Sequence, residues 1–89
     1  MSQPTLTTPA YAAEVGILFS AYGVEWGYRA FAVTYDAARQ RLGARDQSPE
    51  QLLLAFQLNR QRIARAAGAK ARLDSGERVV LDAGDFAQA

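Results

Sequence analysis

The first third of the chain shows the two-residue apolar period of half-buried β-strands. Apolar side chains recur at Ile17, Phe19 and Ala21, within a stretch rich in β-branched and aromatic residues. Gly23 follows this stretch, and glycine readily supplies the positive φ that a tight hairpin loop needs. The pattern therefore predicts a β-hairpin whose second strand covers residues 24–34.

The apolar period changes phase within that second strand. Trp26 and Tyr28 fall on one face, whereas Phe31 and Val33 fall on the other. One interpretation is a β-bulge near residues 27–30, which would return all of these side chains to one face. The alternative is a strand that is apolar on both faces, which would leave an aromatic patch open to a partner. We adopt the bulge as the prediction.

Two capping signals then begin helices. Thr34 suits the N-cap of a short helix, YDAARQRL, that stops at Gly43. Ser48 opens the segment SPEQ, in which serine, proline and glutamine have the spacing of a capping box with proline at the first helical position. We expect this signal to start one long helix over residues 49–72.

The C-terminal part of the chain returns to strand character. Asp74, Ser75 and Gly76 predict a turn, and ERVVLD after them predicts a third strand. The following AGDF is expected to form a terminal turn that places Phe86 on the core.

The fold class that these elements indicate is α+β. We expect two layers, an antiparallel sheet in the order ββααβ (hairpin, short helix, long helix, C-terminal strand) and helices on one face of the sheet. Residues 5–7 are able to add a short N-terminal edge strand. The predicted organisation is a loosely ordered N-terminal arm over residues 1–13 and a single α+β domain over residues 14–89.

Composition removes most catalytic chemistry. The chain of 89 residues is 49% apolar and 21% charged, as in ordinary globular proteins, but it contains neither cysteine nor histidine. Thiolate nucleophiles, imidazole bases and the usual zinc ligands are therefore missing. Glycine-rich phosphate loops and nucleophile elbows are also absent from the sequence. We expect no enzyme, no catalytic residue, no cofactor and no metal site.

Hydropathy indicates a protein outside the membrane. Apolar runs stay well below the roughly 18 residues that would span a bilayer, and MSQPTLTTPA lacks the features of a signal peptide. The expected location is the cytoplasm, with no membrane partner.

Charge is unevenly distributed despite a net value of +1. Residues 39–72 hold eight basic and two acidic residues, which gives +6, so the remainder of the chain carries −5. Such asymmetry can mark nucleic-acid binding, but a basic helix paired with the protein's own acidic strands and tail also accounts for it, and we adopt this second interpretation.

One face of the predicted long helix concentrates the positive charge. The predicted interaction residues are Arg60, Arg62, Arg65 and Arg72. They are able to contact phosphates, with an extension from the preceding helix through Arg39, Arg41 and Arg45. The aromatic residues that could stack on bases in this hypothesis are Trp26, Tyr28, Phe31 and Tyr35. The alternative is a solvated helix face, with the aromatic residues in the core.

Three residues on this helix call for a specific explanation. Asn59 and Lys70 lie on its core side, where we expect structural roles: Asn59 fastening nearby backbone, and Lys70 packing its stem while its ammonium reaches a carboxylate. A nucleophilic Lys70 would be the enzymatic alternative. Gly68 costs about 0.5–1 kcal/mol within a helix, which indicates close approach of another helix, within the chain or from a second copy.

The chain resembles a known family in several segments. The matching parts are Gly23, VTYDAARQRLG, SPEQLLLAFQLNRQRIARAAGAK and VVLDAGDF. The sharpest correspondence comprises Phe56, Asn59, Arg60, Ile63, Ala67 and Lys70, followed by Val80, Leu81, Asp85 and Phe86. In these residues the chain is similar to small bacterial proteins of the domain-of-unknown-function family 1488, over residues 5–86. The resemblance implies a compact two-layer α+β fold and supplies no activity, and the hairpin GVEWGYRAFAVTY is more aromatic than the family pattern.

The functional prediction follows from missing catalytic groups and available surfaces. We expect a small cytoplasmic binding or accessory module, regulatory in character, that acts through protein–protein contacts with an unknown partner or with itself as a homodimer. The alternative is a nucleic-acid-binding module that uses the basic helix face.

Overall fold

A computed structural model describes residues 4–72 and 77–86. Its strands are β1 (Thr5–Leu6), β2 (Ala10–Ala12), β3 (Gly16–Gly23), β4 (Gly27–Thr34) and β5 (Arg78–Leu81). Its helices are α1 (Tyr35–Arg41), α2 (Pro49–Leu58) and α3 (Arg60–Ala71), and a 3₁₀ turn covers Ala83–Phe86. The predicted α+β class and the order of strands and helices are confirmed. The turn predicted at residues 74–76 lies outside the described residues.

The sheet is mixed, which corrects the prediction of a purely antiparallel one. β3 pairs antiparallel with β4, and both β1 and β2 pair antiparallel with β3. β5 pairs parallel with β4, with Phe31 opposite Val79 and Val33 opposite Leu81. The helices between β4 and β5 form a β–α–β crossover, which returns the chain to the end of the sheet where β4 began.

The hairpin between β3 and β4 is regular, so the predicted bulge is wrong. Pairing continues without interruption from Gly16 opposite Thr34 to Gly23 opposite Gly27. Trp26 belongs to the loop, and the left-handed backbone lies at Gly27, with φ of 74°, rather than at Gly23. Gly23 is needed for another reason: an added Cβ would overlap the Trp26 indole. β4 is therefore apolar on both faces.

The N-terminal segment contributes two short strands to the sheet, β1 and β2. β1 is the predicted edge strand, whereas β2 was not foreseen in what we expected to be a loose arm. Thr7 joins the two strands to the sheet: its amide donates to the Ser20 carbonyl at 2.9 Å, and its hydroxyl accepts from the Ser20 amide at 2.8 Å.

The two helix starts agree with the capping signals. The Thr34 hydroxyl accepts from the Ala37 amide at 3.1 Å, and the Ser48 hydroxyl accepts from the Gln51 amide at 3.3 Å. The predicted continuous helix over residues 49–72 is corrected, because it breaks at Asn59 into α2 and α3. None of the described helices is long and apolar enough to cross a membrane.

The core lies between one face of the sheet and the three helices. Phe19 stacks on Phe31 with ring centroids 5.3 Å apart and meets Phe56 of α2 edge to face at 5.1 Å. Burial of a side chain such as Phe56 stabilises the fold by about 1.5–3 kcal/mol. Phe86 is buried from the C-terminal turn, as predicted. The helices thus cover one face of the sheet.

Candidate functional site

The opposite face of the sheet, here called the outer face, lies outside the hydrophobic core. Its members are the strand residues that the register places on the side away from the helices: Thr5, Ala10, Ala12, Leu18, Ser20, Tyr22, Tyr28, Ala30, Ala32, Arg78 and Val80. Ala32 among them is buried, at 1% exposed. This assignment follows from the pairing register, because directly paired residues share a face.

Apolar side chains on the outer face are open to solvent. Tyr28 is 69% exposed, Tyr22 49% and Val80 41%. The two tyrosine rings pair across the hairpin with centroids 6.2 Å apart. Arg78 carries the one formal charge among these outer-face members. The described elements therefore leave a nearly uncharged, partly aromatic surface uncovered.

The outer face has a regular profile of side-chain size along the hairpin. Tyr22 and Tyr28 form a bulky row next to the loop. Ser20 and Ala30 form a small row in the middle, which Arg78 of β5 continues beside Ala30. The third row pairs Leu18 with Ala32, which is buried. Successive rows lie about 6.8 Å apart, because each strand rises about 3.4 Å per residue. On β3 and β4 the bulky row is thus next to a row of small side chains.

The free edge of β5 is closed by Lys70 and Asp85. The Lys70 ammonium donates to the Val80 carbonyl at 2.6 Å and to Asp85 Oδ2 at 2.8 Å. Asp85 Oδ2 also accepts from the Asp82 amide at 2.9 Å. These backbone groups bond side chains instead of β4, so the contacts occupy the edge at which another strand would otherwise add.

The charge of Asp85 is maintained within this arrangement. Partial burial alone would raise its pKa, but the hydrogen bonds from Lys70 and Asp82 and the positive charge of Lys70 together hold the pKa below its ordinary value. The ammonium of Lys70 reaches a carboxylate from a half-buried stem. Across residues 4–72 and 77–86, no three carboxylate, imidazole or thiol side chains gather where they could hold a metal ion.

Asn59 links two helices to each other. Its side-chain amide donates to the Leu42 carbonyl at 3.0 Å and to the Ala55 carbonyl at 2.8 Å. Its backbone amide bonds Phe56 at 3.1 Å, one residue short of the α-helical partner. The side chain thus replaces a main-chain hydrogen bond at the break and fastens the end of α1.

Arg60 is engaged with the protein itself. Its guanidinium lies over the Phe56 ring, 5.5 Å from the centroid, and donates to the Leu6 carbonyl at 3.3 Å and to Gln57 Oε1 at 3.1 Å. Arg60 therefore ties α3 to β1.

The other three predicted interaction arginines differ in their surroundings. Arg62 donates to the Arg41 carbonyl at 2.5 Å, and Arg72 pairs with Glu25 at 2.5 Å in an exposed ion pair. Arg65 is exposed and makes no hydrogen bond or ion pair with any described residue. The four predicted interaction arginines therefore do not offer four free guanidinium groups to one ligand.

The candidate stacking aromatics are also separated. Phe31 is fully buried, and Trp26 packs edge to face on it with centroids 5.7 Å apart. The Tyr35 hydroxyl donates to the Ala13 carbonyl at 2.7 Å at the other end of the hairpin. Tyr28 projects from the outer face, away from the helices. The sequence analysis named this second apolar face as the alternative to the bulge, and the regular pairing of β3 with β4 supports that alternative.

Gly68 approaches a proline rather than another helix. An added Cβ would lie 3.3 Å from Pro4 Cγ. Pro4 and Gly68 also line a shallow cleft of about 250 Å³, bordered by Trp26 and the Glu25–Arg72 ion pair. The close approach that the helix glycine indicated is therefore made by the N-terminal segment.

These observations define a small two-layer α+β protein with one sheet face covered by helices and the other open. The chain belongs to the family described as protein of unknown function (DUF1488), whose model matches residues 10–81. The resemblance in the sequence is thereby confirmed. Searches of curated proteins and of solved structures gave no match.

Proposed function

We propose that this protein is a binding module that acts through protein–protein contacts, and that the outer face is its contact surface. The observation that carries the proposal is the exposure of Tyr28, Tyr22 and Val80 on one continuous sheet face. Isolated exposed apolar residues are normal on any protein, whereas a contiguous apolar face is typical of an interaction site. Tyrosine is also enriched at interfaces, because it offers a large apolar area with a polar hydroxyl.

A flat apolar protein surface is the partner chemistry that this face fits. The alternating small and bulky side chains match another sheet or helix pair, and the scarcity of charge gives little attraction for an ionic ligand. The nucleic-acid alternative has less support, because Arg60 and Arg62 bond backbone carbonyls and Arg72 bonds Glu25. The expectations of a non-enzymatic role and a cytoplasmic location stay predictions.

A retention experiment tests the proposal. Immobilised protein is exposed to source-cell lysate that also contains untagged copies of the chain, and the retained proteins are compared between variants. Tyr22→Ser with Tyr28→Ser removes the aromatic row, and Leu58→Ser is the control because Leu58 is 74% exposed on α2. We expect a protein retained by the parent and the control but lost with the tyrosine variant. Equal retention by all three, or by none, would overturn the proposal.

A further inference from the structure

We propose that the cleft beside Trp26 binds a free α-amino acid with an apolar side chain. The cleft lies where the hairpin loop meets the C-terminal end of α3, on the helical side of the sheet. It is separate from the outer face, so the proposal goes beyond the contact function proposed above. The size of the cleft, its apolar lining and its two charges each limit the ligand.

The size of the cleft suits a small molecule. Its volume is about 250 Å³, whereas sites for drug-sized ligands commonly measure about 300–1,000 Å³. Pro4 and Gly68 close one side of it, where an added Gly68 Cβ would lie 3.3 Å from Pro4 Cγ. The space therefore fits a ligand smaller than a typical drug, of the size of one amino acid.

Part of the lining is apolar. Pro4, Val24 and Trp26 contribute to it, and Val24 is 82% exposed. The Trp26 indole is held in place, because it meets Phe31 edge to face with centroids 5.7 Å apart and covers Gly23, where an added Cβ would overlap the ring. A fixed indole beside two aliphatic side chains favours an apolar ligand side chain, since the ring supplies a large contact area.

The rest of the lining includes one charge of each sign. Arg72 Nη2 and Glu25 Oε1 form an ion pair at 2.5 Å, with side chains 54% and 66% exposed. Among residues 4–72 and 77–86, neither side chain makes another hydrogen bond or ion pair. Arg72 therefore keeps donors for a ligand carboxylate, while Glu25 Oε2 keeps its capacity to accept from a ligand ammonium.

An α-amino acid carries both of the matching groups on one carbon. Its carboxylate beside Arg72 and its ammonium beside Glu25 complete a cycle in which neighbouring charges alternate in sign. A simple carboxylic acid meets the Glu25 carboxylate without an ammonium to offset it, and a simple amine meets the Arg72 guanidinium without a carboxylate, so both bind more weakly. Because an exposed ion pair contributes little to stability, its two side chains are able to adjust to the ligand.

Fluorescence of Trp26 tests the proposal, because Trp26 is the only tryptophan in the chain. L-phenylalanine is titrated into the purified protein, in parallel with phenylacetate, which lacks the ammonium, and phenethylamine, which lacks the carboxylate. We expect a saturable change with L-phenylalanine at a Kd of about 1 mM, since the ligand has few atoms and the cleft is shallow, and about five-fold weaker binding of both analogues.

Charge variants then assign each ligand group to its partner. Glu25→Gln should remove the preference for L-phenylalanine over phenylacetate, and Arg72→Gln should remove the preference over phenethylamine. Arg65→Gln, at another exposed arginine of α3, is the control and should bind as the parent does. Thermal unfolding establishes that each variant folds.

Two results would overturn the proposal. One is a parent protein whose Trp26 fluorescence shows no saturable response to L-phenylalanine, or responds equally to all three compounds. The other is a preference for L-phenylalanine that Glu25→Gln and Arg72→Gln both leave unchanged.

Discussion

The side-chain amide of Asn59 donates to the Leu42 carbonyl at 3.0 Å, across the gap between the end of α1 and the break between α2 and α3. The same amide satisfies the Ala55 carbonyl at 2.8 Å, which the break deprives of its usual main-chain donor. One asparagine therefore sets both the position of the break and the packing of α1.

Asn59→Ala is predicted to lower the free energy of unfolding by about 1–3 kcal/mol, because two partly buried carbonyls lose their donor. This loss exceeds the helix-propensity gain of about 0.7 kcal/mol that alanine brings. Urea unfolding measures the change. Gln61→Ala, at an exposed position of α3, is the control and should alter stability by less than about 0.5 kcal/mol. A neutral or stabilising Asn59→Ala would show that the break does not depend on this side chain.

Arg60 and Arg65 are predicted to differ in their contribution to stability. Arg60→Ala should cost about 1–2 kcal/mol, since it removes the contact with Phe56 and the hydrogen bond to Leu6. Arg65→Ala should change stability by less than about 0.5 kcal/mol, because Arg65 is exposed. Chemical unfolding of both variants makes the comparison. Equal and small losses of stability in the two variants would contradict a stabilising contact of Arg60 with Phe56 and Leu6.

The Asp85 carboxylate is predicted to make the free energy of unfolding fall at acidic pH. Because its pKa is lowered in the folded protein, its contribution is present above the ordinary aspartate pKa of about 3.9 and is lost as pH falls through the folded value. Asp85→Asn should flatten this part of the stability profile, by up to about 1 kcal/mol. Thermal unfolding at a series of pH values provides the test.

Glu14→Gln is the matched control for Asp85→Asn, since Glu14 is exposed near the start of β3. Its acid profile should follow that of the parent. If Asp85→Asn retains the parental loss of stability below pH 4, the Lys70–Asp85 contact does not contribute in solution.

Substitutions at Gly68 should separate helix propensity from packing. Gly68→Ala is predicted to stabilise the protein by less than the roughly 1 kcal/mol that propensity alone allows, because the new Cβ meets Pro4 at 3.3 Å. Gly68→Leu should displace Pro4 and weaken the pairing of β1. Amide exchange at Thr7, which donates to Ser20, reports that pairing. Unchanged protection of Thr7 in Gly68→Leu would contradict close packing at this position.

Local signals in the sequence were sufficient for much of the fold. Thr34 and Ser48 identify two helix starts because capping depends on a hydroxyl and the next turn of backbone. The alternation around Val79 and Leu81 likewise identifies β5. The direction of β5 could not be predicted from such local signals, because its apolar pattern is the same whether it pairs parallel or antiparallel with β4. Only the crossover from β4 determines that direction.

The break at Asn59 and the outer face depend on tertiary context. Asn59 was expected to fasten backbone, but the sequence does not show that its amide replaces a helical hydrogen bond. The shift of phase between Tyr28 and Phe31 was interpreted as a bulge because a strand of an antiparallel sheet commonly has one apolar face and one solvated face. In the structure the pairing is regular, and Tyr28 lies on a second apolar face.

Residue-resolved NMR of the isotope-labelled protein with and without unlabelled source-cell lysate tests the central claim, that the outer face is the contact surface, most directly. The account predicts shifts or broadening for the amides of Tyr28, Ala30 and Ala32, while those of Leu54 and Leu58 on the opposite, helical side remain fixed. Changes confined to the helical side, or signals that the lysate leaves unchanged, would contradict it.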